Sequence, residues 1–273
     1  MATALPRVDQ PEVPLAAWAG RSVAVAEVMG HLDRMRRSEH TATRTAVVNL
    51  VVATSDREAA RRARLAMHRL GRHHPGRTLA LVLRPERPQG IDARVELHRR
   101  TIGERAVWWE EVSLEVGGPL CAQLDSLVAP LLLPQVPVVV WYPSVLPGPE
   151  GPLVASAEVV LADARWAVPA HTSGDPLAAL VDLGRRHVVI DLSWQRLTPW
   201  RRLLADLFEP HAVRPFVDAV VRAEIAGHAG PARLLGGWLL DRLGLPPAAV
   251  TLRRGRHAGI RLSAEHGGRR ARF

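Results

Sequence analysis

Residues 45–83 restrict the fold more than any other part of this chain. TAVVNLVV (45–52), apolar except for Thr45 and Asn49, is a run of the kind a buried strand shows. Ser55-Asp56-Arg57-Glu58 follows and reads as a capping box, with Ser55 at N-cap and Glu58 at N3. Ala59, Ala63, Ala66, Met67 and Leu70 then give a helix one apolar face, and Gly71 stops it. RTLALVL (77–83) is a second buried-strand run. Strand, capped helix and strand in this order form a βαβ unit. That unit requires parallel pairing, because a crossover helix is what lets two parallel strands be neighbours.

The rest of the chain extends this pattern. SVAVAEVMGHLDRMRR, from Ser22, has helical spacing at Val25, Val28, Met29 and Leu32. ARVELHRR (93–100) and AVWWEEVSLEV (106–116) alternate and predict antiparallel strands on the same sheet. A helix is expected through Leu120, Leu124, Leu127, Val128 and Leu131, then the strand VPVVVW (136–141). PSVLPGPEGP (143–152) is rich in proline and glycine and reads as a linker. Beyond it come a strand at AEVVLAD (157–163), a helix at DPLAALVDLGRR (175–186), a strand at HVVIDLSW (187–194) and a helix from Pro199. A last helix, near 231–244, has Leu234, Leu235, Trp238 and Leu239 as apolar positions, with Leu245 following. The fold class is α/β: two α/β subdomains with mixed sheets flanked by helices. The expected division is a loose leader over 1–20, an N-terminal domain over 21–143, a linker over 144–153, a C-terminal domain over 154–264 and a basic tail over 265–273.

Composition excludes several functions. The one cysteine, Cys121, permits no internal disulfide, which fits a reducing compartment. The first residues lack an apolar signal core. The most apolar run, 127–143, is broken by Pro130, Pro134 and Pro137 and falls short of the roughly 20 residues a spanning helix needs. A cytoplasmic protein with no membrane contact is expected. The net charge is +9, but residues 251–273 hold seven arginines against one glutamate, so most of it lies at the C-terminus. A nucleic-acid partner is therefore not expected, since no folded basic face with interleaved aromatics is indicated.

Catalytic and cofactor motifs are missing. All 36 basic residues are arginine, which rules out a P-loop lysine and a Schiff-base lysine. No GxSxG occurs, and no GxGxxG opens a helix. No HExxH or CxxC is present, and the adjacent His73 and His74 point apart on a regular element, so no metal site and no cofactor are expected. Glu110 and Glu111 face opposite sides of a strand and cannot act as a carboxylate pair. Without a catalytic constellation, the chain reads as a binding protein rather than an enzyme.

Three places stand out as sites. In DLSWQRLTPWRRLL (191–204), Thr198 at N-cap and Pro199 at N1 start a helix whose face Trp200, Leu203, Leu204 and Leu207 packs on a sheet. Trp194 and Arg196 precede it at a strand's carboxyl end, where sites form in α/β sheets. Trp194 either packs under that helix or stands as an exposed anchor beside Arg196, the residue types enriched at interface hot spots. Trp141 and Tyr142 end another strand and point to opposite faces. The turn His73-His74-Pro75-Gly76-Arg77 offers a possible anion site through His74 and Arg77.

Taken in order, ATRTAVVNLVV (42–52), HHPGRTLALV (73–82), LDSLVAPLLLPQVPVVVWYP (124–143), DLSWQRLTPWRRLLADLF (191–208) and RLLGGWLLDRLG (233–244) resemble the OpcA family of glucose-6-phosphate dehydrogenase assembly proteins. Two departures stand beside the resemblance. Tyr142 replaces a usual second tryptophan, and the C-terminus is short. The resemblance implies a non-enzymatic assembly factor and allosteric activator that binds glucose-6-phosphate dehydrogenase, promotes its active oligomer and so supports NADPH supply by the oxidative pentose phosphate pathway. It carries over no catalytic residues. With that partner, Trp141, Tyr142, Trp194, Arg196 and Arg201 are expected at or just beneath the contact surface. The alternative is a phosphosugar- or nucleotide-binding sensor or enzyme using the His74/Arg77 turn.

Overall fold

A computed structural model describes residues 14–38, 46–102, 105–165, 168–169, 175–255 and 257–273. The first thirteen residues of the expected leader, Thr45 of the first strand run and Arg256 of the basic segment lie outside them. The chain forms two compact units, one of residues 1–143 with 150–160 and one of 144–149 with 161–273. The chain therefore crosses between units through a longer stretch than the proline–glycine segment. No helix among the described residues is long and apolar enough to cross a membrane.

In the first unit the elements run β1 (Ala16–Gly20), α1 (Val25–Ser38), β2 (Val48–Thr54), α2 (Arg57–Gly71), β3 (Gly76–Arg84), β4 (Gly90–Ile102), β5 (Arg105–Gly117), α3 (Leu124–Val128) and β6 (Val138–Trp141). The βαβ unit forms as its sequence demands: β2 and β3 pair in parallel from Val48↔Gly76 to Thr54↔Val82, joined by α2. β6 extends the sheet in parallel on the far side of β2, and β5 on the far side of β3. β4 and β5 are the expected antiparallel hairpin, so the sheet is mixed. Part of the expected leader is a strand instead: β1 pairs antiparallel with β4 over Ala16↔Leu97 to Gly20↔Ala93.

Two local details depart from the sequence reading. The N-cap of α2 is Asp56, whose carboxylate accepts from the backbone N–H of Glu58 and Ala59. A carboxylate gains from the helix dipole as well as from the bonds, and so displaces Ser55. The helix expected through 120–131 is broken into two 3-10 turns flanking α3. Pro119 and Pro130 each begin a turn and cannot continue a helical ladder. Leu124, Leu127, Val128 and Leu131 are buried nonetheless.

One buried carboxylate ties this unit together. Glu110 on β5 accepts from Arg36 Nε at 2.6 Å and Nη2 at 2.9 Å, and from Arg77 Nε at 2.8 Å. Arg77 also donates to the carbonyl of Leu131. Burial pushes the Glu110 carboxyl up, but the hydrogen bonds from Arg36 and the charge of Arg77 outweigh it and hold it below the usual carboxylate range. Burial also draws Arg77 below its ordinary value, and it pulls on Arg36, where the bond to Glu110 more than offsets it. Both guanidiniums stay charged, so the pH dependence of the cluster resides in Glu110.

After β6 the chain gives β7 (Val145–Leu146) to the second unit, returns through 150–160 and passes into β8 (Val159–Ala162). The second unit continues with β9 (Val168–Pro169), α4 (Pro176–Gly184), β10 (Val189–Asp191), α5 (Leu192–Arg196), α6 (Thr198–Leu207), β11 (Val220–Gly227), α7 (Ala229–Leu243), β12 (Val250–Arg254), β13 (Gly259–His266) and β14 (Arg269–Arg272). Its larger sheet has the order β12-β11-β13-β14. β11 and β12 are parallel through α7, a second βαβ crossover, while β13 and β14 add on antiparallel. Gly244, at φ 60°, terminates α7 in the left-handed conformation that glycine adopts without strain. Ala223, Ile225, Leu235, Leu239 and Leu262 form the core. The expected basic tail is part of this sheet: β14 pairs with β13, and Phe273 packs on Phe208 with ring centroids 5.2 Å apart.

The Glu110 cluster yields a prediction. Its folded pKa is depressed, so its contribution to stability is present above the unfolded carboxyl value of about 4.3 and is lost as pH falls through the folded value. Glu110→Gln, which leaves Arg77 buried without its counter-charge, should cost about 3–5 kcal/mol at neutral pH and flatten the acid limb of the stability profile. Denaturant titrations across pH measure both effects.

Candidate functional site

The site is built on residues 163–165 and 191–201 of the second unit. Asp191 ends β10 and caps α5: its Oδ1 accepts from the N–H of Ser193 at 2.8 Å and of Ala164 at 3.0 Å. The cap stops the strand at Asp191, where the sequence pattern predicted a strand to Trp194. Trp194 accordingly lies on a short helix, and α6 begins at Thr198 with Pro199 in its first turn. Burial holds the Asp191 carboxyl above its usual value, against its two backbone bonds.

Beneath the helix lies a second acid. Ser193, 1% exposed, donates to Asp163 Oδ1 at 2.6 Å, and Arg196 Nη2 donates to the same oxygen at 2.5 Å. The backbone N–H of Arg165 closes the network on Asp163 Oδ1 at 3.1 Å and Ser193 Oγ at 3.0 Å. Arg196 is anchored at its tip while its side chain stays about half exposed.

Trp194 and Arg201 make the most distinctive pair. Arg201 lies over the Trp194 ring, 3.6 Å from its centroid. It also donates to the Trp194 carbonyl at 3.1 Å and to Thr198 Oγ1 at 3.0 Å. Trp194 is half-buried and packs against the core of the unit, so it is seated in the core and also reaches the surface. Trp200, Leu204 and Leu207 also pack on that core, but Leu203 is 63% exposed, contrary to the expected four-residue face. The contacting stripe of α6 is narrower than its apolar sequence. Beside these residues opens a cavity of about 240 Å³, lined among others by Arg165, Arg196, Trp200, Ile225 and His228.

The other expected site residues lie in the first unit. Tyr142 is 7% exposed and its hydroxyl donates to the carbonyl of Pro152; burial, with Asp125 nearby, pushes its pKa up. Trp141 is half-buried on β6. The His74/Arg77 turn does not assemble an anion site. His74 is exposed, whereas Arg77 is 4% exposed and committed to Glu110. Sequence reasoning passed over Asp163 and Asp191. The available signal was an aspartate at the end of each short apolar run, AEVVLAD and HVVID, ahead of a turn or helix.

Residues 67–185 match the family model described as the glucose-6-phosphate dehydrogenase subunit N-terminal domain, and residues 187–271 match that of the C-terminal domain. Helices α5 and α6 of the site fall within the second match, and Asp163 and Arg165 within the first. The chain is 25% identical over 191 residues to a putative OxPP cycle protein OpcA of Synechocystis sp., covering 67% of this chain and 40% of that protein. It is 28% identical over 147 residues to the putative OxPP cycle protein OpcA of Synechococcus elongatus, covering 51% and 32%. It thus spans less than half the length of these curated relatives.

The Asp191 geometry separates capping from charge. Asp191→Ala should lose the cap and cost about 0.5–2 kcal/mol. Asp191→Asn keeps a capping oxygen and removes a half-buried charge, so it should stay within about 0.5 kcal/mol of the parent. Thermal or urea unfolding of the two variants side by side checks the pair.

Proposed function

The chain belongs to the OpcA family of glucose-6-phosphate dehydrogenase assembly proteins, and from that premise we propose that it binds glucose-6-phosphate dehydrogenase without turning over substrate itself. It acts in the cytoplasm as an assembly factor and activator. It favours the dehydrogenase's active oligomer and so supports NADPH supply by the oxidative pentose phosphate pathway. The means is linkage: a partner that binds the active form more tightly than the inactive one shifts the population toward it.

The observation that carries the contact surface is the stacked Trp194–Arg201 pair with Arg196 beside it. Tryptophan and arginine are the side chains that most often dominate interface energies. Here both arginines are held by bonds within the unit, so little side-chain freedom remains to be lost on association. Trp141 and Tyr142 belong to the other unit, where Trp141 is half-buried and Tyr142 is buried. The anion-sensor reading finds no support, because Arg77 is occupied by Glu110.

The test is a titration of the dehydrogenase with this chain, reading its rate and the affinity of the complex. The expected outcome is activation that saturates, with Arg201→Ala, Arg196→Ala and Trp194→Phe each weakening binding about tenfold or more. Arg61→Ala, on an exposed position of α2 in the other unit, should leave affinity unchanged. Equal affinity for all variants would remove this surface from the account.

A further inference from the structure

The first unit brings together three side chains that the sequence separates by up to 43 residues. His68 lies in the last turn of α2, His98 on β4 and Glu111 on β5. One ligand atom from each lies within 4.8 Å of the others. His68 Nδ1 is 2.7 Å from Glu111 Oε1, and His98 Nε2 is 3.6 Å from the same oxygen. We propose that His68, His98 and Glu111 form a site for a divalent transition metal, zinc in the first instance, that fastens α2 to the β4–β5 hairpin.

Ligand chemistry selects the ion. Two imidazoles and one carboxylate suit zinc and its neighbours in the first transition row, whereas calcium and magnesium require oxygen ligands. Zinc bonds near 2.0–2.2 Å in a tetrahedron place ligand atoms about 3.3 Å apart. The His98–Glu111 separation is within a few tenths of an ångström of that. The shorter His68–Glu111 contact is a hydrogen bond that an ion would replace, opening by roughly half an ångström. Three protein ligands leave a fourth position, and the His68 side chain, a quarter exposed, is where water or an added ligand reaches it.

The surroundings are those of a supported site. Trp109 Nε1 donates to Glu111 Oε1 at 2.9 Å, orienting the carboxylate. The Trp109 ring stacks on His98 at 5.0 Å with 9° between planes, and His68 meets both rings edge-on. Such second contacts fix the orientation of metal ligands. Gly71 makes room for that tryptophan, since a Cβ there would lie 2.4 Å from its Cδ1. Glu96 stands opposite Glu111 in the β4–β5 register and adds negative charge on the same face, balanced by Arg94 at 2.7 Å and Arg64 at 3.9 Å. Motif reading found no metal site because its signal is spacing along the chain, and these ligands become neighbours only through the hairpin register and the α2 packing.

The inference does not depend on the dehydrogenase as partner. Its test uses the untagged full chain, stripped with chelator, titrated with Zn²⁺ by calorimetry and with Co²⁺ by visible absorption. The expected result is one ion per chain, the d–d bands of tetrahedral cobalt and a raised thermal midpoint with zinc. Glu111→Gln and His68→Gln should each weaken binding at least about tenfold and abolish the thermal shift. His68→Gln lies at the rim of the cluster and tests the site even if the Glu111 variant fails to fold. His73→Gln with His74→Gln, on the exposed turn nearby, should bind as the parent does. Absence of saturable binding, or binding that survives His68→Gln, would overturn the proposal and leave a hydrogen-bonded packing cluster.

Discussion

Each unit is organised around carboxylates taken out of water and matched with donors from distant parts of the chain. Glu110 is the clearest case: it engages Arg36 from α1 and Arg77 from β3, and Arg77 reaches on to the carbonyl of Leu131. A buried charge is tolerated only when its partners arrive together, so this carboxylate makes the placement of a helix, two strands and a turn interdependent. Asp163 and Asp191 do the same in the second unit, on a smaller scale. They bind the backbone at 164–165 and the hydroxyl and N–H of Ser193, and so fix where β10 ends and α5 begins.

The consequence for the proposed function is that the Trp194–Arg196–Arg201 surface stands on a fixed base. Arg196 is tethered to a buried acid, and Arg201 is held by a carbonyl, a hydroxyl and the face of an indole. A surface formed this way has one shape before it meets a partner. An effector that stabilises one oligomeric form of an enzyme needs that property, because a surface that reshapes itself to either form discriminates less between them.

The sequence showed the parts of this architecture that rest on local periodicity. The β2–α2–β3 crossover, the β4–β5 hairpin, α4 and the core face of α7 could all be read from runs of apolar residues and their caps. Long-range polar pairing could not be read. Arg77 looked like a surface guanidinium beside two histidines, and nothing near it in sequence indicates that Glu110 draws it inside. Tyr142 likewise buries its ring because a carbonyl ten residues on accepts its hydroxyl. The strands of the sheet β12-β11-β13-β14 were not read at all, and residues 265–273 were taken for a basic tail, because β12 and β14 are short and arginine-rich and β13 and β14 have few covered positions. The segment 191–204 was identified as a site, yet the first residues of its helix α5, 192–194, were taken for the end of a strand, since an aspartate cap outweighs a β-rich pattern such as VVID.

The central claim is that this chain joins glucose-6-phosphate dehydrogenase and favours its active oligomer. Light scattering after size exclusion, on the chain mixed with the dehydrogenase of the same genome, tests it most directly when activity is assayed across the peak. The account predicts a single peak whose mass exceeds that of the dehydrogenase alone and whose specific activity is higher. Separate elution of the two proteins at micromolar concentrations, with unchanged activity, would contradict it.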